Sequence, residues 1–241
     1  VSALLVRWLG TRDYLPTWQA MQHFTATRQA DAPDEIWLLE HFPVYTVGVR
    51  GHGSCRQPQG IASTIPIVQT DRGGLITYHG PGQLVAYTLI DLARLGLGVR
   101  DLVTALEQAT IDLLRQYGLR AHARPKAPGV YVGGAKIAFL GLRVKQGRSY
   151  HGLSLNVDLD LSPFRVIDPC GIEGLEVTRL VDLGVRAKVH EVAVPWLASL
   201  MAQLGFNTIA EFSHELPLTS TQAGQPQRVA PTTTTRHATY L

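Results

Sequence analysis

Residues 129–171 read GVYVGGAKIAFLGLRVKQGRSYHGLSLNVDLDLSPFRVIDPCG, and the punctuation of this stretch argues for a sheet built from hairpins. VYV, the pair Gly133-Gly134 and KIAFLGLRV have the pattern of two strands joined by a tight turn, because two adjacent glycines supply the backbone freedom such turns demand. SYHGLSLNV is a further strand after a short polar link, and the segment closes on Pro169-Cys170-Gly171. Lysine occurs only at 126, 136, 145 and 188, and cysteine only at 55 and 170. One of those lysines, Lys136, sits in an apolar strand beside glycines, and one of those cysteines, Cys170, sits in a proline-stiffened turn. A cysteine is a useful nucleophile when a neighbour removes its proton, and a buried lysine can do that. By residue type alone, a lysine at a strand end is more often a solvated edge residue and a Pro-Cys-Gly cysteine a small turn residue. Their separation of 34 positions does not require them to meet.

Outward from this stretch, strand patterns occur at LLVRWLG, IWLLEHF, VYTVG, IPIVQT and LVAYTLIDL. The runs IWLLEHF and VYTVG are expected in a half-buried sheet. A helix is expected over residues 14–30, packing through Leu15, Trp18, Met21 and Phe24, with Pro16 in its first turn. The clearest helix follows Asp101, a good N-cap, with Leu102, Leu106, Ala109, Leu113 and Tyr117 on one face and Gly118 ending it. EVTRLVDLG is expected as strand and turn. A second helix spans about 190–204, ended by Gly205, and Pro195 is expected near its first turn. Residues 50–64 form a long polar loop. Strands, a helix, more strands and a final helix make an α+β order, with one catalytic domain over 1–216 and a Thr/Pro/Gln-rich tail at 217–241 expected to be disordered.

Composition narrows the function. The chain has 241 residues, 45% hydrophobic and 17% charged, and a formal net charge of +3. No run of eighteen apolar residues marks a membrane span, no lysine–arginine cluster marks a nucleic-acid surface, and two cysteines outside any CxxC pattern suit a reducing cytoplasm. Neither GxGxxG after a strand nor GxxxxGK[ST] occurs, and no histidine spacing marks a metal site. His79 and His151 each precede a glycine, which allows close backbone approach to a ligand. Arg72 precedes Gly73-Gly74, whose N–H groups could bind a carbonyl or oxyanion.

Three long motifs in order, RGGLITYHGPGQLVAY, PGVYVGGAKIAFLGLRV and YHGLSLNVDLDLSPFRVIDPCG, closely resemble the LipB family of octanoyltransferases. The match runs from EIWLLEHFPVYTVG to about Phe206. The resemblance implies a mixed β-sheet with packed helices, as in biotin and lipoate protein ligases. It also implies transfer of an octanoyl group from octanoyl-acyl carrier protein to the lysine of lipoyl domains, those of 2-oxoacid dehydrogenase complexes and the glycine cleavage H protein. Carried over onto this sequence, the acyl-accepting cysteine is Cys170 and the catalytic lysine Lys136. The substrate contacts are Arg72, Gly73, Gly74, Leu75, Ile76, Thr77, Tyr78 and His79, then Phe139, Leu140 and Gly141, then Gly152, Leu153 and Ser154. Backbone N–H groups near Gly171 and in the Arg72–Gly74 loop are candidate oxyanion donors, with no single one assigned. Leu75, Tyr78, Phe139 and Leu153 are candidates for the walls of an apolar slot, where each buried methylene contributes about 0.8 kcal/mol, and equally for core packing.

No cofactor or metal is implied beyond the phosphopantetheine arm of the carrier, and a thioester donor needs no ATP. Asp168 stands where most relatives carry Asn, and Cys55 lies outside the motifs. An ATP-dependent lipoate-protein ligase, an amidotransferase between lipoyl domains and a non-enzymatic carrier-binding module are the competing readings.

Overall fold

The computed structural model describes residues 4–52, 64–169 and 174–217. Cys170 and Gly171, Cys55, most of the polar loop at 50–64 and the tail from 218 onward lie outside the described residues.

The architecture is an eight-stranded mixed sheet with helices on it and a three-stranded sheet beside it. In chain order the elements are β1 (Leu4–Arg12), α1 (Tyr14–Thr27), β2 (Asp34–His41), β3 (Val44–Val47), β4 (Ile67–Gln69), β5 (Ile76–His79), β6 (Gln83–Leu89), α2 (Leu92–Leu95), α3 (Val99–Gln116), β7 (Ala121–Ala123), β8 (Gly129–Val132), β9 (Ala135–Lys145), β10 (Arg148–Asn156), α4 (Val189–Leu204) and β11 (Ile209–Ser213). The large sheet runs β11-β1-β2-β6-β10-β9-β8-β7 and the small one β4-β3-β5. β1 is parallel to β2 and β11, and the remaining pairs of the large sheet are antiparallel.

The 129–156 stretch folds as its punctuation predicts. Gly133 and Gly134 both take positive φ (57° and 99°) between the paired residues Val132 and Ala135, the geometry of a primed hairpin turn. Gln146 and Gly147 repeat it at 52° and 75° between Lys145 and Arg148. Leu84, Ala86, Ile36, Leu38, Val130, Ala138, Leu153 and Leu155 point to the face covered by α3 and α4, where they meet Leu102, Leu106, Ala109, Leu113, Val192, Trp196, Leu197 and Leu200. The opposite face carries Trp37, Leu39, Val85, Tyr87 and Tyr150 under Met21 and Ala20 of α1. No helix among the described residues is long and apolar enough to cross a membrane.

Several expectations need correction. β2 and β3 are buried almost throughout rather than on one face: β2 lies between the helices and α1, and β3 is the central strand of the small sheet, with Tyr45 and Val47 packed in an apolar cluster and Thr46 bonded to Arg72. Leu15 is 46% exposed; the buried stripe of α1 runs through Tyr14, Thr17, Met21 and Thr25, a partly polar face that an apolar count misses. The helix after Gly98 begins at Val99, so Asp101 is not the N-cap but its third residue, where Oδ2 accepts from Gly98 N–H at 2.7 Å. α4 begins at Val189, with Pro195 inside it. Pro195 removes only the bond to the Glu191 carbonyl, and Glu191 is exposed, so water can serve it. EVTRLVDLG is not a strand: Val177 makes a lone bridge to Lys136, and Val181–Leu183 is a 3-10 turn.

Candidate active site

Between the α1 face of the large sheet and the small sheet lies a small pocket, about 50 Å³ in volume and partly open to solvent. Its floor is made by residues opposite one another on neighbouring strands. Phe139 pairs with Ser154 and Gly141 with Gly152, and Ser154 and Gly152 pair in turn with Val85 and Tyr87 of β6. Paired residues point to one side of a sheet, so all six reach the pocket. The glycines are needed there. A Cβ on Gly152 would lie 2.1 Å from the Ala86 carbonyl oxygen, and one on Gly141 3.1 Å from that of Gly73.

The pocket brings together Arg72, Gly74, Leu75, Ile76, Thr77, His79, Phe139, Leu140, Gly141, Gly152, Leu153 and Ser154. Two expected contacts do not border it. Tyr78 points the other way, into a cluster with Tyr45, Phe164 and Ile167, because His79 and Thr77 take the pocket side of β5. Gly73 donates its N–H to the Leu142 carbonyl at 2.9 Å, so that N–H is not available to an oxyanion. Leu153 borders the pocket, but its side chain packs into the helix-side core. Tyr14, Val85, Tyr87 and His151 also line the pocket. The period-two run Val85-Tyr87-Leu89 in β6 carried a signal for two of them.

Arg72 organises the 72–75 loop. It is 7% exposed, and its guanidinium donates to Thr46 O and Oγ1, Gly73 O and Leu75 O at 2.6–3.0 Å. Asp71 ties the same loop to α1 and β10. It accepts from Trp18 Nε1 at 2.8 Å, Gln22 Nε2 at 3.1 Å and His151 Nε2 at 2.9 Å, and from the Tyr150 hydroxyl. Burial works against its charge, yet the bonds from His151, Tyr150 and Gln22 prevail and hold the carboxyl far below the usual range.

Three buried histidines face this pocket region, each in a defined tautomer. His41 Nδ1 donates to Arg12 O at 2.8 Å, and its Nε2 accepts from the Tyr87 hydroxyl at 2.6 Å. Gln83 Nε2 donates to Asn156 Oδ1 and Tyr78 O, which leaves its Oε1 to accept from His79 Nδ1 at 2.7 Å. His79 Nε2 then accepts from Thr46 Oγ1 at 3.3 Å. Burial pushes His41 down to about 4 and His79, with His41 close by, to about 3. His151 is also lowered by burial, although Asp71 opposes the shift.

Lys136 is fully buried. Its Nζ donates to the Pro128 carbonyl at 2.7 Å and lies 4.9 Å from the Phe139 ring centre and 5.4 Å from that of Tyr131. Gly129, at φ +139°, makes room for it; a Cβ there would stand 2.3 Å from Lys136 Cε. Glu107 lies nearby and accepts from Gly129 N–H at 2.8 Å. Burial raises its carboxyl, against the pull of Gly129 and of the Lys136 charge.

The described chain on both sides of Cys170 is fastened to β9. On one side Ile167 packs in the cluster that contains Phe139. On the other, Lys136 N–H donates to Glu176 O at 2.8 Å, and Thr178 N–H to Lys136 O at 3.0 Å. Asn156 Nδ2 donates to Thr178 O at 3.0 Å, so bonds through Asn156 and Gln83 connect that segment to His79. Cys170 itself lies outside the described residues.

Residues 13–200 match the model of the lipoyl protein ligase A/B catalytic domain. This chain belongs to that family. It is 60% identical over 210 residues to the octanoyltransferase of Methylococcus capsulatus, covering 86% of this chain and 99% of that one. It is 59% identical over 204 residues to the octanoyltransferase of Aromatoleum aromaticum, covering 84% and 86%. At that similarity the chain is an octanoyltransferase, an acyltransferase of lipoate biosynthesis. The fold agrees. The bipartite lipoate protein ligase of Thermoplasma acidophilum superposes with a TM-score of 0.67 over 92% of this chain and 89% of that one, at 15% identity.

Proposed function

We propose that transfer proceeds through an octanoyl thioester on Cys170, with Lys136 as the proton carrier. Octanoyl-acyl carrier protein is the donor. The acceptors are lipoyl domains of 2-oxoacid dehydrogenase complexes and the glycine cleavage H protein, and the site of action is the cytoplasm. Lys136 Nζ takes the Cys170 thiol proton, and the thiolate attacks the thioester carbonyl of the donor. The carrier thiolate leaves and collects that proton from Nζ. In the second half, the amine of the target lysine attacks the Cys170 thioester and gives its proton to Nζ. The Cys170 thiolate leaves and is reprotonated. A thioester donor is already activated, so neither half consumes ATP.

The observation that carries this reading is the buried lysine whose amine lies 4.9 Å from the ring of Phe139, a pocket residue. Its backbone pairs with the segment that follows Cys170 by six residues. The apolar floor of the pocket suits a saturated acyl chain, whose methylenes each contribute about 0.8 kcal/mol when buried.

Intact mass after mixing with octanoyl-acyl carrier protein, without ATP, tests the reading. One octanoyl group on the wild type, absent from Cys170→Ala and discharged by a lipoyl domain, is the expected result. Modification of the lipoyl domain from free octanoate that requires ATP, with no adduct, would replace the relay with ligase chemistry.

A further inference from the structure

The pocket is bordered by buried polar atoms that have no partner among the described residues. His151 is a non-glycine residue at φ +58° in the middle of β10 and is 1% exposed. Left-handed backbone is uncommon for such a residue, and inside a paired strand it persists only where the surroundings impose it. Its consequence is visible: the ring stacks on Tyr150 and meets Tyr87 edge-on, both of which belong to the α1 side of the sheet. Asp71 then fixes the tautomer. A carboxylate can only accept, so Nε2 carries the hydrogen and Nδ1 presents a lone pair. That Nδ1 is buried without a partner among the described residues, and so are Thr77 Oγ1 and the Tyr14 hydroxyl. All three residues line the pocket.

The place of His151 along the pocket is set by register, and Thr77 borders the same pocket from the small sheet. Phe139, whose ring faces Lys136 Nζ, pairs with Ser154, and His151 pairs with Leu142. Three residue steps of strand separate those pairs, roughly 10 Å, a span comparable with an extended eight-carbon chain. A saturated chain anchored near Lys136 would therefore bring its methyl end to His151, in the pocket that Thr77 also lines. A dry methyl group there leaves two polar atoms stripped of water and given nothing in return, the arrangement buried polar groups avoid.

Resting on the reading that the pocket holds the acyl chain, we infer that its inner end is a hydrogen-bonding stop. His151, positioned by Asp71, and Thr77 hold a donor there: a water molecule behind octanoyl, or the hydroxyl of an 8-hydroxyoctanoyl group in place of that water. A longer saturated chain must expel the water without replacing its bonds. Chain length is then limited by hydration of these two residues as well as by space, and a terminally hydroxylated eight-carbon acyl group is a further substrate class.

The test uses non-transferable amide analogues of octanoyl-, 8-hydroxyoctanoyl- and decanoyl-pantetheine, with binding measured by calorimetry. Wild-type protein should bind the hydroxylated analogue within about threefold of the octanoyl one and the decanoyl analogue at least about tenfold more weakly. Thr77→Val keeps shape and removes the hydroxyl. His151→Asn tolerates the left-handed backbone and shortens the reach. In both, the preference for 8-hydroxyoctanoyl over decanoyl should collapse by about tenfold. Wild-type rejection of the hydroxylated analogue, ratios unchanged in both variants, or no binding of any analogue would each overturn the inference. Because binding needs no acyl transfer, failure of the Cys170 relay would appear in the mass experiment while these ratios held.

Discussion

The two faces of the large sheet are built from the same strands and have opposite characters. Toward α3 and α4 the side chains are hydrocarbon: Ile36, Leu38, Leu84, Ala86, Leu155 and their helix partners. Toward α1 and the small sheet, alternate residues of those strands include Tyr87, Ser154 and the terminal His41, joined by His151 of β10, His79 of β5 and Asp71 from a loop. An alternating strand lets one backbone serve both purposes, since side chains one residue apart in regular extended backbone point to opposite sides. One face supplies cohesion, and the other can therefore carry polar groups that would weaken a core.

The sharpest test of this division is Lys136→Met, which keeps length and burial and removes the amine. Transfer should fall by about 10²–10⁴-fold, the usual contribution of a positioned acid–base group, while the melting temperature changes little. A rate near wild type would break the assignment. The opposite experiment is Leu106→Ala on α3. Its side chain is fully buried in the helix-side core, so unfolding in urea should show a loss of about 2–5 kcal/mol. The kcat of the folded protein should stay unchanged; a large drop in kcat with normal stability would show that the faces are not separable.

Acid distinguishes the faces next, because the buried histidines His41, His79 and His151 lie on one of them. His41 has a folded-state pKa of about 4 and His79 of about 3, against an unfolded value near 6.5. The unfolded chain takes up protons first as pH falls. This stability is therefore complete above about pH 6.5 and is lost as pH drops toward those folded values, at about 2 kcal/mol per histidine by pH 5. Urea midpoints at pH 7.5 and 5.0 measure it, and His41→Phe should flatten the slope; an unchanged slope would mean His41 does not couple to folding. The smallest effect belongs to Tyr87→Phe, which strips His41 Nε2 of its donor. A loss of about 1–2 kcal/mol is expected by the same unfolding assay, and none at all would mean water replaces the hydroxyl.

The hydrocarbon face was largely legible in the sequence and the polar face was not, for one physical reason. Apolar periodicity reports burial only where burial is apolar. Leu102, Leu106, Ala109 and Leu113 announced their stripe, and the glycine pair at 133–134 announced its turn, because both signals are local. On α1 the same count chose Leu15 over Tyr14 and Thr17, since a buried face with hydroxyls resembles a solvated one. The bond between His151 and Asp71 spans 80 positions, and no local pattern encodes it. The expected pocket residues came from motif resemblance rather than periodicity. Tyr78 and Gly73 lie off this pocket, because motif membership does not say which way a side chain turns or where an N–H is spent.

The parallel pairing of β11 with β1 has a consequence for synthesis. Leu4 is held by Ile209 and Arg7 by Ser213, so β1 leaves the ribosome about two hundred residues before the strand that covers its outer side. At the usual pace of translation that interval is roughly 10–40 s. Until then β1 presents an open row of backbone donors and acceptors, the surface by which nascent chains aggregate. The edge of the molecule is the last part to be sealed.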